Sequence, residues 1–107
     1  MSAEVLMLLC TCPDEATGER IARALVEERL AACVNCLPRV RSTYRWEGAV
    51  RQEEEVLLTV KTTRIQYPHL EMRLKALHPY EVPEIIAVPV VAGLAEYLSW
   101  VARETGS

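Results

Sequence analysis

The chain has 107 residues, half of them hydrophobic, and its 12 lysine and arginine residues against 15 aspartate and glutamate residues give a net charge of -3. This length predicts one domain, residues 1–107, with one core. No dense basic run is available to neutralise phosphates, which argues against a nucleic-acid partner. The apolar stretch at 5–10 is too short to cross a membrane and lacks the flanks of a secretory signal, so we expect a soluble cytoplasmic protein with free thiols.

The first two predicted elements differ in the spacing of their apolar residues. A nearly continuous apolar run at 3–12 stops before Pro13 and predicts a buried strand. From Asp14 to Leu30 the apolar residues recur every three or four positions, and acidic residues occupy the first turn. This second pattern predicts an amphipathic helix.

The middle of the chain predicts a long hairpin. Residues alternate in character over 40–62, with Glu47 and Gly48 at the turn between two strands. The hairpin would bring Arg39 and Arg41 roughly opposite the acidic run Glu53–Glu55. We interpret this run as a cross-strand pairing face rather than a metal site.

The last third predicts a helix, a strand and a second helix. Leucines at helical spacing precede Pro79, which ends the first of these helices. The strand at 83–91 should lie at a sheet edge because Pro89 cannot donate a ladder hydrogen bond. Apolar residues at 94–101 predict a short C-terminal helix. The order βαββαβ plus this helix predicts an α+β ferredoxin-like fold with sheet order 4-1-3-2.

Four cysteines form a C-x-C and a C-x-x-C pair, a spacing that superficially resembles a zinc site. In the predicted sheet, Cys10 and Cys12 end the first strand, whereas Cys33 and Cys36 begin the second strand, which runs parallel to it two positions away. We therefore expect the two pairs at opposite ends of the sheet, unable to share one ion within a subunit.

His78 follows the second predicted helix and should lie near the end of the neighbouring first strand, close to Cys10 or Cys12. A thiolate with an imidazole suits copper or zinc. The alternative role is structural, since a histidine before a proline often ends a helix. No glycine-rich phosphate loop and no nucleophile with a partnering His and Asp stand out, so the sequence gives no support to an enzyme.

Five stretches of the sequence carry a combined motif: CTCPDEATGERIARALVEERLAACVNCLP, STYRWEG, EEEVLLTVKT, LHPYEVPEI and YLSWV. Together they resemble the CutA divalent-cation tolerance family over about residues 5–101. The resemblance implies a cytoplasmic homotrimer of ferredoxin-like subunits, similar in architecture to PII-type nitrogen regulators. It also implies an association with copper tolerance and copper binding. The resemblance does not exclude other divalent cations as the bound metal.

By position, the resemblance implies metal ligands at Cys10, Cys33 and His78, and Cys12 shares the strand face of Cys10. Leu77 stands where some members of the family have a second histidine. Cys33 would approach the site only from a neighbouring subunit of the trimer. The competing hypothesis is a PII-like signalling module that binds a small molecule in the clefts between subunits. Three aromatic residues are candidate subunit contacts: Tyr44, Trp46 and Trp100.

Overall fold

The computed structural model describes residues 4–106, and position 3 of the predicted first strand lies outside this range. Four strands form one sheet in the order β2-β3-β1-β4, with every neighbouring pair antiparallel. The α+β order βαββαβ with a C-terminal helix and the predicted sheet order are both confirmed. The elements are β1 (Val5–Cys12), α1 (Glu15–Glu27), β2 (Cys33–Trp46), β3 (Ala49–Thr63), α2 (Tyr67–Leu77), β4 (Ile86–Pro89) and α3 (Ala95–Glu104).

The ends of α1 and α2 follow from local chemistry. Asp14 precedes α1 in an extended conformation, and its carboxylate accepts a hydrogen bond of 2.8 Å from the Thr17 backbone N–H. Helix α2 ends because His78 adopts an extended backbone before Pro79, as a residue before proline prefers. This ending places the His78 side chain beside the last residues of β1. No helix in the 4–106 range is long and apolar enough to span a bilayer.

The main core lies between one face of the sheet and the helices α1 and α2. Alternate residues of β1 and β3 point to this face, as period two requires. Gly18 of α1 faces the sheet, and a Cβ there would lie 3.4 Å from both Cys36 Sγ and Val56 Cγ1, at ordinary contact distance. The buried side chains of this core include Leu8, Cys10, Cys12, Ile21, Leu25, Val56, Leu58, Val60, Leu70 and Leu74.

The opposite face of the sheet is covered only in part. Helix α3 packs there, and Val101 forms a small second cluster with Val5 of β1. Strand β4 presents apolar side chains on the same face, where Ile86 is 51% exposed and Val88 is 43% exposed. An apolar sheet face of this kind is a surface suited to association.

The hairpin turn is confirmed at Glu47 and Gly48, which both have positive φ angles, of 50° and 80°. Arg41 lies opposite Glu54 as predicted, whereas Arg39 falls in a bulge between Leu37 and Val40 and has a φ of 63°. No ion pair joins either arginine to the acidic run within the part of the chain that the structure describes. The run does face β2 across the hairpin and belongs to no metal-binding grouping of the described residues, as predicted, but its partners there are not ion pairs with these arginines.

The acidic run instead bonds to tyrosine hydroxyls. Glu53 accepts a hydrogen bond from Tyr44, and Glu55 accepts one of 2.6 Å from Tyr80. Glu55 is buried, whereas an acidic run on a solvent-exposed strand would leave every carboxylate in water. Successive residues of a strand face opposite sides, so Glu54 alone of the three turns away from these tyrosines.

Replacing Glu54 with Gln should therefore change the melting temperature by less than about 2 °C, because an exposed carboxylate without an ion pair contributes little. Thermal unfolding followed by circular dichroism measures this. The buried Glu55 is the contrasting position, and Glu55→Gln should have the larger effect. A drop of more than about 5 °C for Glu54→Gln would contradict the assignment of this side chain to solvent.

Candidate metal centre

Two thiols and one imidazole meet at the end of β1. The ligand atoms of Cys10, Cys12 and His78 all lie within 4.8 Å of one another, and all three residues are buried. Cys10 and Cys12 share a face of β1 because they are two positions apart, and the end of α2 supplies His78. Within residues 4–106, this is the single grouping of three or more His, Cys, Asp or Glu side chains compact enough to hold a metal ion.

Both ring nitrogens of His78 already have partners. The Tyr80 backbone N–H donates to Nδ1 at 3.1 Å, and Nε2 lies 2.8 Å from the Thr11 carbonyl oxygen. Since Nδ1 accepts and a carbonyl cannot donate, the hydrogen-bond pattern assigns a ring proton to Nε2. The His78 ring also stands 4.7 Å from the Tyr80 ring, measured between centroids. The imidazole thus ties the segment after α2 to the end of β1.

The two thiols of the centre shift each other's pKa in opposite directions. Donation to Cys12, together with burial and the charge of Cys12, raises the pKa of the Cys10 thiol. The hydrogen bond from Cys10 lowers the pKa of Cys12, against the opposing effect of burial. Cys12 is therefore the more easily ionised of the two thiols, and a soft cation that binds there would displace its proton.

Cys33 lies apart from this centre within the subunit. It pairs with Lys61 on β3, and the Lys61 ammonium nitrogen is 4.0 Å from its sulfur. Cys36 is closer to the centre than expected. It pairs with Leu58, which on its other side pairs with Cys10, so Cys36 stands level with Cys10 across β3. We expected both cysteines of β2 to lie at the end of the sheet opposite Cys10. This is wrong for Cys36, because β2 begins three residues earlier and Cys36 therefore lies further along the strand. The four cysteines still do not form one grouping.

A cleft of about 790 Å³ opens next to the centre. Its walls come from the end of β1, from the hairpin and from the segment 79–84 that His78 anchors. The hydrogen bond from Tyr80 to Glu55 crosses the junction of hairpin and segment. Sequence reasoning missed this cleft, because the residue that covers Glu55 is 25 positions away and no local pattern shows it. Its aromatic and charged lining residues are Tyr44, Trp46, Arg51, Glu53, Glu55, Tyr80, Glu81 and Glu84.

The fold and the centre together define a ferredoxin-like α+β protein with a buried set of soft-metal donors at the end of its first strand. The family model described as CutA1 divalent ion tolerance protein matches residues 6–104. The chain therefore belongs to the CutA1 divalent ion tolerance family, and the resemblance drawn from the sequence is confirmed.

Relatives from three organisms illustrate this membership. A divalent-cation tolerance protein CutA from Thermus thermophilus is 54% identical over 100 residues, covering 94% of this chain and 97% of that protein. A solved divalent cation tolerance protein from the same species superposes with a TM-score of 0.93 at 53% identity, covering 95% of this chain and 99% of that one. The structure of CutA from Xylella fastidiosa gives 0.93 at 48% identity, with 95% and 98% covered. A CutA described as periplasmic, from Archaeoglobus fulgidus, gives 0.90 at 36% identity, with 94% and 97% covered.

Proposed function

We propose that this chain is a cytoplasmic, single-domain homotrimer that binds copper at the Cys10, Cys12 and His78 centre and catalyses no reaction. The observation that carries the proposal is the approach of three buried ligand atoms to within 4.8 Å of one another. Membership in a divalent ion tolerance family supports the involvement of a metal ion. Cell fractionation tests the location, which matters because one solved relative is described as periplasmic.

The donor set fits copper better than the other common cations. Two of the three donors are thiols, and soft sulfur ligands favour Cu(I), whereas the imidazole accepts either oxidation state. Structural zinc sites take four protein ligands, and the grouping offers three. Calcium and magnesium require oxygen ligands, which the grouping lacks. Cys33 remains a weaker candidate ligand, reaching a centre only from a neighbouring subunit.

The copper proposal is tested by titrating Cu(I) under anaerobic conditions against a competing chelator. The wild-type chain should bind one ion per subunit. Cys10→Ala and His78→Asn should each weaken binding by about tenfold or more, given that loss of a mere outer-shell partner costs about 10–100-fold. Asparagine is preferred to alanine at 78 because its side-chain oxygen can still accept from the Tyr80 N–H.

Cys36→Ala is the matched control for this titration. Its thiol stands level with Cys10 in the sheet yet lies outside the grouping, so its removal should leave affinity and stoichiometry unchanged. Wild-type binding by Cys10→Ala, or an equal loss in Cys36→Ala, would overturn the assignment of the centre.

The trimer is tested by light scattering at micromolar concentration, where the particle should have three times the chain mass. Strands β2 and β4 form the open edges of the sheet, and the partly exposed apolar residues Ile86 and Val88 lie on β4. Val88→Lys should shift the particle toward smaller masses by placing a charge on this surface. A monomer mass for the wild-type chain would contradict the proposal.

A further inference from the structure

The four cysteines differ in what surrounds their sulfur atoms. The two cysteines of the metal centre are fully buried, whereas Cys33 and Cys36 are partly exposed. Cys36 faces the first turns of α1, and burial together with two glutamates there raises the pKa of its thiol. Cys33 instead lies next to the ammonium group of Lys61. Partly exposed thiols in electropositive surroundings are those that oxidants modify, so Cys33 is the cysteine of this chain that best fits a reactive thiol.

Lys61 holds its amine against the Cys33 sulfur. The two residues are directly paired across β2 and β3, and Nζ lies 4.0 Å from Sγ. The same ammonium donates to the Asn35 carboxamide oxygen and to the Thr59 hydroxyl, at 3.4 Å from the latter. Within residues 4–106, no carboxylate forms an ion pair with Lys61. Its charge therefore acts on the sulfur with no acidic partner to offset it.

Tyr97 of α3 lies beside the same sulfur. Burial and the adjacent Cys33 thiol raise the pKa of the Tyr97 hydroxyl, so this hydroxyl is protonated at neutral pH. A protonated phenol can donate a hydrogen bond to an oxygen atom added to the sulfur. Cys33 thus has an amine within reach and a hydrogen-bond donor for an oxidised product, whereas a metal ion at this sulfur would have to approach against the charge of Lys61.

We propose that hydrogen peroxide converts Cys33 and Lys61 into a covalent N–O–S bridge. In the first step the sulfur attacks one peroxide oxygen, the O–O bond breaks, and Cys33 becomes a sulfenic acid while one water leaves. In the second step an O–N bond replaces the O–H bond of the sulfenic acid and one N–H bond of the neutral Lys61 amine. A second peroxide takes up these two hydrogens and is reduced to two waters.

The bridge needs little rearrangement of the fold. Lys61 has a flexible side chain, so its nitrogen can close the gap to the oxygen on Cys33 while both strands keep their places. The product joins the start of β2 covalently to β3. It also removes one thiol and one positive charge from this face of the sheet.

Peptide mapping of the reduced, metal-free full chain after treatment with hydrogen peroxide tests the proposal. Trypsin does not cleave after a modified lysine, so the bridged protein should give residues 30–39 joined to residues 52–64. The mass of this product should exceed the sum of the two peptides by one oxygen less two hydrogens, and fragmentation should place the link at Cys33. Cys36→Ser should give the same product in the same yield, since Cys36 packs against the core on the other face of β2.

Two variants of Lys61 separate the oxidation from the bridge. Lys61→Arg keeps the positive charge but has no primary amine, so oxidation should stop at the sulfenic acid, which dimedone captures as a stable thioether. Lys61→Met removes the charge, and the rate at which peroxide and dimedone label Cys33 should fall by about threefold or more.

The proposal fails if trypsin still cleaves after Lys61 in the peroxide-treated wild-type chain, even where Cys33 carries a sulfenic or sulfinic acid. It also fails if Lys61→Arg gives a bridged product in equal yield, or if peroxide oxidises Cys36 as fast as Cys33. Because the bridge is detected in the wild-type chain, a variant that does not fold leaves the main test intact.

Discussion

If the proposed copper site is correct, a variant with both Cys10→Ala and Cys12→Ala is expected to lose Cu(I) binding at the candidate centre. The two substitutions remove both soft donors and leave a lone imidazole, which binds Cu(I) poorly. Since loss of one outer-shell partner already costs about 10–100-fold, loss of two ligands should lower the affinity by more than about 1,000-fold. Competition with a Cu(I) chelator under anaerobic conditions measures this loss.

The comparison for this variant is Cys33→Ala with Cys36→Ala, which removes the same number of thiols from β2. That double variant should still bind one Cu(I) per subunit, with at most a modest loss of affinity if Cys33 of a neighbour contributes. Equal loss in the two double variants would mean that copper binds to exposed or accessible thiols without a defined centre. Thermal unfolding of both variants establishes that they are folded.

Leu58→Ala is expected to lower the free energy of unfolding by about 3 kcal/mol, within the usual range for a leucine removed from a packed core. Leu58 is fully buried at the middle of β3, where it is paired with Cys10 on one side and with Cys36 on the other. Its side chain lies under Gly18, where a Cβ would be 3.5 Å from Leu58 Cδ2. Because α1 covers this part of the packed core, the truncation leaves a cavity there.

Urea unfolding at a fixed protein concentration measures this effect, since association of subunits contributes to apparent stability. Val50→Ala on the same strand is the matched control. Val50 is 63% exposed, so its truncation should change the free energy of unfolding by less than about 0.5 kcal/mol. Equal effects at the two positions would contradict the assignment of Leu58 to the core.

Much of the fold could be predicted because each element has its own spacing of apolar residues. The apolar residues at every second position of β3 and those at helical spacing in α1 pack into the same core in the structure. The topology then placed His78 near Cys10, because the end of α2 and the end of β1 lie at one end of adjacent strands. A correct order of elements was enough for this part of the candidate site.

What could not be predicted depends on register and on contacts between distant residues. The position of Cys36 opposite Leu58 depends on where β2 begins and on the bulge after Leu37. The spacing of apolar residues predicts neither of these features. The burial of Glu55 depends on Tyr80, which arrives from another part of the chain. The partners of the His78 ring are a backbone carbonyl and a backbone N–H, which the identity of side chains does not report.

The two engaged nitrogens of His78 act as a latch on the wall of the cleft. Whichever nitrogen turns to an ion, either the Thr11 carbonyl or the Tyr80 N–H loses its partner, and Tyr80 also holds Glu55. A metal ion bound by His78 would therefore break one of the two contacts that hold the segment after α2 against the end of β1. A protein with such a latch can convert the occupancy of a buried ion into a change at its surface, where another molecule can detect it.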